Sequence, residues 1–560
     1  MGAFLGYKIP ALRLKGKICI KMEYLVTQSE MKQYDNSTIE QLKMPSIVLM
    51  ERAALVTVSQ IRKEKGYAAY RVLVAAGCGN NGGDGFAIGR LLMLEGCKVD
   101  FVLLGSPDKC SAETALQLEI LEKYGHKPYD RIPQGEYDIV IDAIFGVGLS
   151  RNVEGIYSEA IHAINELDAY VCAVDIPSGI HADSGQVLGC AVRADLTVTY
   201  GFYKLGEFLY PGAGYCGKII CGKMGIDEHA FFGNEPQWYT YTSLADVSLP
   251  KRKPDGNKGT FGKVLVIAGS DTMCGAAIMA ARSVFYMGAG MVRIVTSDKN
   301  RDIIQQSLPE AMLTVYNTKL WTERKPDTDF EKAFKTDIDW ADCILIGPGI
   351  GMGKEAEWML EYCLNKSVLP MVIDADGLNL LAKKLNSDGF TNFNMYKNME
   401  NEFRKCSENN ELEIADKNSS NDEIRDVILT PHIGEFARLY GCDIKEAAKN
   451  ITTYPRLLAY KFGCTVVCKD ARTVVAAYDK GQCYLNTSGN CGMATAGSGD
   501  VLAGMITGLI AQGMKADEAA ITGVYLHGRA GDMAAEKCGS YSMMATDVME
   551  QIKALLKSLS

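Results

Sequence analysis

The sequence predicts an α/β protein with two domains, each a three-layer arrangement of a mainly parallel β-sheet between helices. Three observations lead to this fold class. The chain has 560 residues, more than one ordinary domain holds. Short continuous apolar runs alternate with amphipathic segments, which is typical of strands buried on both faces and joined by helices. The alternation stops at residues 241–260, where proline, glycine and basic residues cluster, and then starts again.

Five apolar runs in the first half predict the strands of the first sheet. They are residues 71–77, 98–105, 137–146, 170–179 and 194–201. Amphipathic segments between the runs predict helices over 86–95, 112–124 and 157–167. Because the runs are continuous and separated by helices, we expect parallel strands whose carboxyl ends meet at one edge of the sheet.

The second half repeats this pattern. Its predicted strands and strand exits are residues 262–270, 290–297, 342–351, 370–377, 426–435 and 464–470. Residues 386–425 are polar and charged with little periodicity, which predicts a solvated insertion.

These patterns also predict the domain boundaries. In residues 1–21 basic residues follow the short apolar start, which is the wrong order for a secretory signal, so we expect an extension or a true start at Met22. The first domain then spans 22–240, residues 241–260 form the linker, and the second domain spans 261–560.

Composition limits the classes of function. The chain is 47% hydrophobic and 23% charged with a net charge of −9, which argues against nucleic-acid binding. No run of about 18 apolar residues predicts a membrane span. The 18 cysteines include no C-x-x-C pair, and the six histidines include no H-E-x-x-H motif. We therefore expect reduced thiols, no zinc site and a cytoplasmic protein that binds neither nucleic acid nor membrane.

The first predicted strand leads into the glycine-rich segment GNNGGDG, residues 79–85, and then into a helix expected to start near Phe86. Loops at the carboxyl ends of parallel strands bind ligands in open α/β sheets. Glycines let the backbone approach a ligand, and a helix N-terminus adds partial positive charge. The segment favours a phosphate or pyrophosphate, and a tight structural turn is the alternative.

Two further strand exits carry oxygen-bearing side chains. Asp142 ends one strand before the segment 146–151, and Asp175 ends the next, shortly before Ser178. With Asn81 they bring hard oxygen ligands to one edge of the sheet, which suits an alkali or alkaline-earth cation. A partly buried aspartate there is also a candidate general base.

The motifs of this half occur in the order seen in NAD(P)H-hydrate epimerases, which it resembles over about residues 22–230. The matching stretches are QSEMKQYDNSTIE, PSIVLMERAA, GNNGGDG, DAIFGVGLSR and DIPSG. The resemblance implies a Rossmann-like fold, potassium ligands at Asn81, Asp142 and Ser178, and Asp175 as substrate contact and acid–base group. It implies that the hydrated dinucleotide is held by Asn80, Asn81, Gly82, Gly83, Asp84, Gly146, Val147, Gly148, Leu149, Ser150, Arg151 and Asn152.

A second glycine-rich segment, GSGD at 497–500, precedes a long apolar helix. Backbone N–H groups at a helix N-terminus bind anions. Asp500 is placed there to take a proton from a hydroxyl that attacks a phosphoryl group. The alternative is that Asp500 only caps the helix, which would leave the surrounding glycines at 489, 492, 497, 499 and 504 unexplained.

This half resembles the ribokinase-like NAD(P)H-hydrate dehydratases over about residues 250–560, apart from the insertion. The matching stretches are KGTFGKVLVIAGS, GAAIMAARSVFYMGAGMVRIVT, GPGIG, DADGLN, TPHIGE and NTSGNCGMATAGSGDVLAG. The resemblance implies that the hydrated dinucleotide is lined by Ala276, Gly349 or Gly351, His432 and Asp500. It implies that the nucleotide lies along Lys469, Asp470, Ala471, Arg472, Thr473 and Gly499.

Two residues of this second site have alternative interpretations. His432 could be an ordinary core histidine, but its position at a strand exit between Pro431 and Gly434 favours the site. The family usually has Lys-Gly after the sixth strand, whereas this chain has a carboxylate at Asp470, next to the expected nucleotide. Arg472 is a candidate to compensate that charge.

The two resemblances together imply a bifunctional repair enzyme for hydrated NADH and NADPH, called NADHX and NADPHX. Such an enzyme is an isomerase that interconverts the R and S hydrates and a lyase that dehydrates the S form. The fusion resembles the bacterial enzymes, which implies ADP with magnesium as phosphate donor, AMP and phosphate as products, and potassium at the epimerase site. We also expect a homo-oligomer. The alternative is a ribokinase-like small-molecule kinase fused to a non-catalytic dinucleotide-binding domain.

Overall fold

The computed structural model of the chain describes residues 22–321, 326–386 and 426–559. The predicted extension 1–21 and nearly all of the predicted insertion 386–425 lie outside these ranges. Within them the chain forms two β-sheets with helices on both faces, which confirms the predicted α/β class with two domains. None of the helices in the described ranges is both long and apolar enough to cross a membrane.

The first sheet contains six parallel strands of the described chain. In spatial order they are β3 (Lys98–Leu103), β2 (Arg71–Ala76), β4 (Ile139–Ala143), β5 (Tyr170–Val174), β6 (Leu196–Tyr200) and β8 (Lys218–Gly222). The five predicted strands are confirmed, and β8 is an additional edge strand. The helices of this half are α1 (Gln28–Glu40), α2 (Ser46–Lys65), α3 (Asn80–Leu94), α4 (Ala112–Lys123) and α5 (Ile156–Glu166).

Local sequence explains how these elements begin and what they bury. Thr27 and Glu30 form a capping box at the start of α1, and Ser111 caps α4 with its hydroxyl. The strands β4 and β6 are buried at every position, so helices must cover both faces of the sheet.

The second sheet contains twelve strands of the described chain. In spatial order they are β12 (Met312–Tyr316), β11 (Met291–Ser297), β10 (Lys263–Ile267), β13 (Cys343–Ile346), β14 (Met371–Ile373), β15 (Val427–Leu429), β16 (Thr465–Cys468), β17 (Val474–Ala477), β18 (Cys483–Leu485), β9 (Trp238–Thr240), β1 (Glu23–Val26) and β7 (Tyr203–Lys204). The strands from β12 to β16 are parallel, and the antiparallel strands β17 and β18 extend the sheet. All six predicted strands are present.

The helices of this half cover both faces of the second sheet. They are α6 (Cys274–Tyr286), α7 (Arg301–Ser307), α8 (Thr328–Trp340), α9 (Lys354–Lys366), α10 (Asp376–Leu385), α11 (Ile433–Tyr440), α12 (Ile444–Lys449), α13 (Tyr454–Phe462), α14 (Ser498–Ala511), α15 (Ala516–Cys538) and α16 (Ala545–Leu559). The predicted glycine-rich buried helix is α14. A Cβ atom at Gly504 would lie 2.3 Å from the carbonyl oxygen of Ala280, so this glycine lets α14 pack closely on α6.

The second sheet continues into the first half of the chain. Strand β9 pairs with β18 on one side and with β1 on the other, and β1 then pairs with β7. Leu25, Leu205, Leu209 and Trp238 are buried in the same hydrophobic core as the strands of the second half. The two halves therefore share one sheet and one core, which the sequence did not predict.

Candidate active sites

The first candidate site is a cavity of about 740 Å³ at the carboxyl ends of β2, β4 and β5, a size typical of small-molecule sites. Most residues predicted for the first site line it: Asn80, Asn81, Asp84, Gly146, Val147, Gly148, Leu149, Ser150, Arg151 and Asp175. Three others, Gly82, Gly83 and Asn152, are not part of the lining. Helix α1, to which the prediction assigned no site residue, contributes one wall of the cavity.

The glycines of GNNGGDG have a different role from the predicted one. Helix α3 begins at Asn80, not near Phe86, so residues 80–85 are its first turns and not a free loop. A Cβ atom at Gly82 would lie 1.9 Å from a carbonyl oxygen of the preceding loop, and one at Gly85 would lie 2.4 Å from a Cβ atom of β4. These glycines let the helix approach the sheet closely. The N-terminus of α3, which no side chain caps, still offers its N–H groups to an anion.

Asp175 lies at the end of β5 in a strained backbone conformation. Its φ of 68° is uncommon for a residue other than glycine and occurs often at functional sites. The carboxylate oxygen Oδ1 accepts hydrogen bonds from the ammonium of Lys204 and, at 3.2 Å, from the backbone N–H of Tyr200. The other oxygen, Oδ2, accepts no hydrogen bond from any described residue. Since Asp175 lines the cavity, Oδ2 is available to a ligand.

Lys204, which was not predicted from the sequence, also lines the cavity. It is fully buried, and its ammonium donates to Asp175, to the hydroxyl of Thr199 (2.8 Å) and to the carbonyl of Tyr200 (2.9 Å), which uses all three protons. Burial alone would lower the pKa of Lys204, but the charges of Asp175 and Glu207 outweigh it and raise the pKa. Burial raises the pKa of Glu207 to about 8. A lysine and a glutamate inside the apolar run that follows β6 were the available signal.

The three predicted potassium ligands lie together beside the cavity. Ser178 donates its hydroxyl to one oxygen of Asp142 (2.6 Å) and its backbone N–H to the other (2.8 Å). Asn81 lies against Gly146, and its buried amide nitrogen has no hydrogen-bond partner in the described structure. Burial raises the pKa of Asp142 to about 6, and a bound cation would favour its carboxylate form. Oxygen donors of this kind fit a hard cation such as potassium.

The second candidate site lies at the N-terminus of α14. Gly497 precedes the helix with a left-handed φ of 88°, and no side chain caps the helix. The alternative in which Asp500 is only a helix cap is therefore wrong. The Asp500 carboxylate makes no hydrogen bond to any described residue. Burial, together with the charge of Asp374 and against that of Lys469, raises the pKa of Asp500 to about 7.

A buried ion pair lies directly beside this turn. Lys469 and the hydroxyl of Thr430 each donate to one oxygen of Asp374 at 2.8 Å. A Cβ atom at Gly499 would lie 3.0 Å from the Lys469 ammonium and 3.7 Å from the second oxygen of Asp374. Lys469 is a predicted nucleotide contact, whereas Asp374 has no predicted role, although it lies in the matched stretch DADGLN.

The two glycines predicted to line the second site have different neighbours. A Cβ atom at Gly349 would lie 2.9 Å from that of Ala276, so these two residues are in contact. The backbone N–H of Gly351 donates to a carboxylate oxygen of Asp376 at 2.9 Å. Asp376 also raises the pKa of Asp500, which places Gly351 near that carboxylate.

His432 is not a core histidine, so that alternative is wrong. Its side chain is 56% exposed and caps α11 by accepting the backbone N–H of Gly434 at 3.0 Å. The backbone N–H of His432 in turn donates to Glu435. Glu435 is buried, and its charge also raises the pKa of Asp500, so His432 is near the second site.

The segment along which the nucleotide is predicted to lie, residues 469–473, extends from the second site to the first half of the chain. Asp470, Ala471 and Arg472 border a cavity of about 40 Å³, together with residues of the first half. The guanidinium of Arg472 donates to the carbonyl oxygens of Phe208 (3.2 Å) and Thr487 (3.1 Å). These bonds tie Arg472 to both halves, and the nucleotide contacts of residues 469–473 stay a prediction.

The fold and the two sites define a class of protein: a two-domain α/β enzyme with an aspartate-centred site in each half. Two family models match the chain. The model described as YjeF-related protein N-terminus matches residues 46–206, and the model described as NAD(P)H-hydrate dehydratase matches residues 264–395 and 410–554.

Relatives match over nearly the whole chain. The bifunctional NAD(P)H-hydrate repair enzyme Nnr of Moorella thermoacetica is 33% identical over 556 residues, which cover 96% of this chain and 97% of the relative. Nnr of Thermofilum pendens is 32% identical over 545 residues, covering 95% and 96%. The chain belongs to the family of bifunctional NAD(P)H-hydrate repair enzymes, which confirms the resemblance. A solved dehydratase of Bacillus subtilis, described as ADP/ATP-dependent and co-crystallised with ATP and Mg²⁺, is 26% identical, covers 56% of this chain and 95% of its own, and has a TM-score of 0.43.

Proposed function

We propose that the chain repairs NADH and NADPH that carry water at ring carbon 6, by epimerising the hydrate in the first site and dehydrating the S epimer in the second. Membership of the repair-enzyme family supports this pair of reactions on one chain. Each half offers an aspartate with carboxylate oxygens not consumed by internal hydrogen bonds, and this feature carries the proposal. They are Asp175 in the cavity and Asp500 at the helix N-terminus.

In the first site, the N-terminus of α3 and the segment 146–151 bind the pyrophosphate and orient the dinucleotide. The free oxygen of Asp175 then faces the reacting ring, because Lys204 fixes the other oxygen. Potassium held by Asn81, Asp142 and Ser178 would supply positive charge near the phosphates. The chain's own contribution to the chemistry is the removal and return of a proton at the C6 hydroxyl by Asp175.

In the second site, the N–H groups at the start of α14 bind the phosphate of ADP, and magnesium bound with the nucleotide would neutralise part of its charge. Asp500 takes the proton of the C6 hydroxyl as that oxygen attacks the terminal phosphoryl group, and the bond to AMP breaks. Phosphate then leaves C6, a proton leaves C5, and the reduced ring is restored. A pKa of about 7 keeps the Asp500 carboxylate able to accept a proton near neutral pH.

The full-length protein tests this function with a mixture of both NADHX epimers, ADP, magnesium and potassium. We expect both epimers to be consumed and one AMP to form for each NADH. Asp500→Ala should abolish NADH formation yet still interconvert the epimers, and Asp175→Ala should slow interconversion alone. If no NADH forms with either ADP or ATP, the repair function is refuted and the small-molecule kinase is favoured.

A further inference from the structure

We propose that Asp35 is a second acid–base residue of the epimerase site, working with Asp175, which lines the same cavity. Asp35 lies in α1, within a stretch that matches the family but to which no role was assigned. This role presupposes the epimerisation proposed above, and it adds the group that exchanges a proton with the ring nitrogen.

Helix α1 presents one face to the cavity. Gln28, Met31, Lys32 and Asp35 all line it, and this spacing places them on the same side of a helix. Asp35 is partly buried, yet its carboxyl makes no hydrogen bond to any described residue. The side chain therefore does nothing to hold the fold together through hydrogen bonds, although it occupies a costly position for a carboxyl group.

The Lys204 ammonium acts differently on the two carboxyl groups. It is hydrogen-bonded to Asp175, and it acts on Asp35 only through its charge. Burial raises the pKa of Asp35 to about 6, the charge of Asp175 adds to this effect, and Lys204 opposes it. Asp35 has no such bond to a cation, and its raised pKa suits it to carry the proton that the ring nitrogen receives. The other titratable groups that line the same cavity are Lys32, Cys78, Asp84, Arg151, Tyr157 and Tyr200.

Two neighbours are poorer candidates for this role. All three protons of Lys204 are bonded within the protein, so Lys204 is a positioning residue that acts through Asp175. Burial and the charges of Asp175 and Asp35 raise the pKa of Asp84 well above its ordinary value. Proton transfer is most efficient when the pKa lies near the working pH, so this strong upward shift makes Asp84 the poorer candidate.

Carbon 6 of the hydrate carries the hydroxyl and is bonded to the ring nitrogen, so it can be inverted by opening that bond. Asp175 takes the hydroxyl proton, the C–O bond becomes a carbonyl, and the C6–N1 electron pair moves to the nitrogen. Asp35 gives its proton to that nitrogen. After rotation of the aldehyde, the nitrogen attacks the other face of the carbonyl, Asp35 recovers its proton from the nitrogen, and Asp175 returns a proton to the new hydroxyl. No atom is lost and nothing is oxidised.

The test uses full-length protein, purified R epimer of NADHX and potassium, without ADP, so that the second site cannot turn over. Interconversion is followed by chromatography of the two epimers. We expect Asp35→Asn to lower kcat/KM at least ~100-fold, the usual contribution of a general acid or base. Glu40→Gln is the matched control, because Glu40 is an exposed acid of the same helix; it should change the rate by less than about twofold.

Two further measurements separate a chemical role from a structural one. Dehydration of the S epimer with ADP should be unchanged in Asp35→Asn, which shows that the chain is folded. The wild-type kcat/KM for epimerisation should fall as pH rises above about 6, since Asp35 must carry its proton, and Asp35→Asn should lose this dependence.

The outcomes distinguish this inference from the proposed function. Wild-type protein that fails to interconvert the epimers refutes the epimerase function itself. Active wild-type protein with an Asp35→Asn variant within about threefold of it, or with the same pH dependence in both, refutes the role of Asp35 and leaves the epimerase function intact.

Discussion

Replacing Asp374 with asparagine tests whether the charges around Asp500 set the working pH of the dehydratase. In the native protein the pKa of Asp500 is raised from 3.8 to about 7, by burial first and by the charge of Asp374 next. The substitution removes that negative charge and frees Lys469 from its partner, so both changes stabilise the Asp500 carboxylate. We expect the pKa of Asp500 to fall by roughly 1–2 units.

The size of the expected change in kcat/KM with pH follows from the need for Asp500 to be ionised. Because Asp500 must be a carboxylate, wild-type kcat/KM should fall about tenfold per pH unit below about 7, to roughly a hundredth of its plateau at pH 5. Asp374→Asn should have a lower plateau, since Lys469 is no longer held, but should keep roughly a tenth or more of that plateau at pH 5.

The assay follows NADH absorbance from purified S epimer and ADP between about pH 5 and 8.5, with the spontaneous rate subtracted. ADP also titrates in this range, but its titration is common to both enzymes, so wild type and Asp374→Asn are compared at each pH. A wild-type kcat/KM that stays flat down to pH 5, or an Asp374→Asn profile that falls at the same pH as wild type, would show that these charges do not govern the base.

Three other outcomes are expected. In denaturant titrations, Gly85→Ala should lower the free energy of unfolding by ~1–3 kcal/mol, because the new Cβ atom would lie 2.4 Å from a Cβ atom of β4. Gly275→Ala is the control and should not lower it, because the space around Gly275 is open. Asp500→Asn should raise the melting temperature at pH 8 but not at pH 4. Because the pKa of Asp500 is raised in the folded state, its ionisation costs up to ~4 kcal/mol of stability as pH rises from about 4 to about 7. Replacing potassium with sodium should slow epimerisation severalfold, and equal rates in both salts would exclude a potassium-specific site at Asn81, Asp142 and Ser178.

Sequence reasoning predicted the strands that carry the strongest pattern. The predicted strands of both sheets are continuous apolar runs of four or more residues with clear exits, and they are present in the structure. Strands β1, β7 and β9 were missed because they are two to four residues long and pair with segments far away in the chain. Such short strands depend on their partners more than on their own propensity.

The candidate sites were predicted only where a local sequence pattern marks them. Asp175 and Asp500 stand at a strand exit and a helix start, which the sequence marks. Lys204 and Asp374 act through ion pairs with residues 29 and 95 positions away, and only the folded chain brings those partners together. The start of α3 was placed too late because glycines at Gly82 and Gly85 suggest a loop, whereas close packing against the sheet requires them inside the helix.

The strand pairing from β18 through β9 and β1 to β7 joins the two halves into one folded unit, so both activities must be inherited on one chain. Lys204, which holds Asp175, lies on β7 at the end of that series. A cut within residues 241–260 would separate β9 from β18 and expose Leu205, Leu209 and Trp238, leaving an unpaired sheet edge prone to aggregation. Splitting this gene in two would therefore require new surface residues on both products, and damage to either half should reduce the output of both reactions.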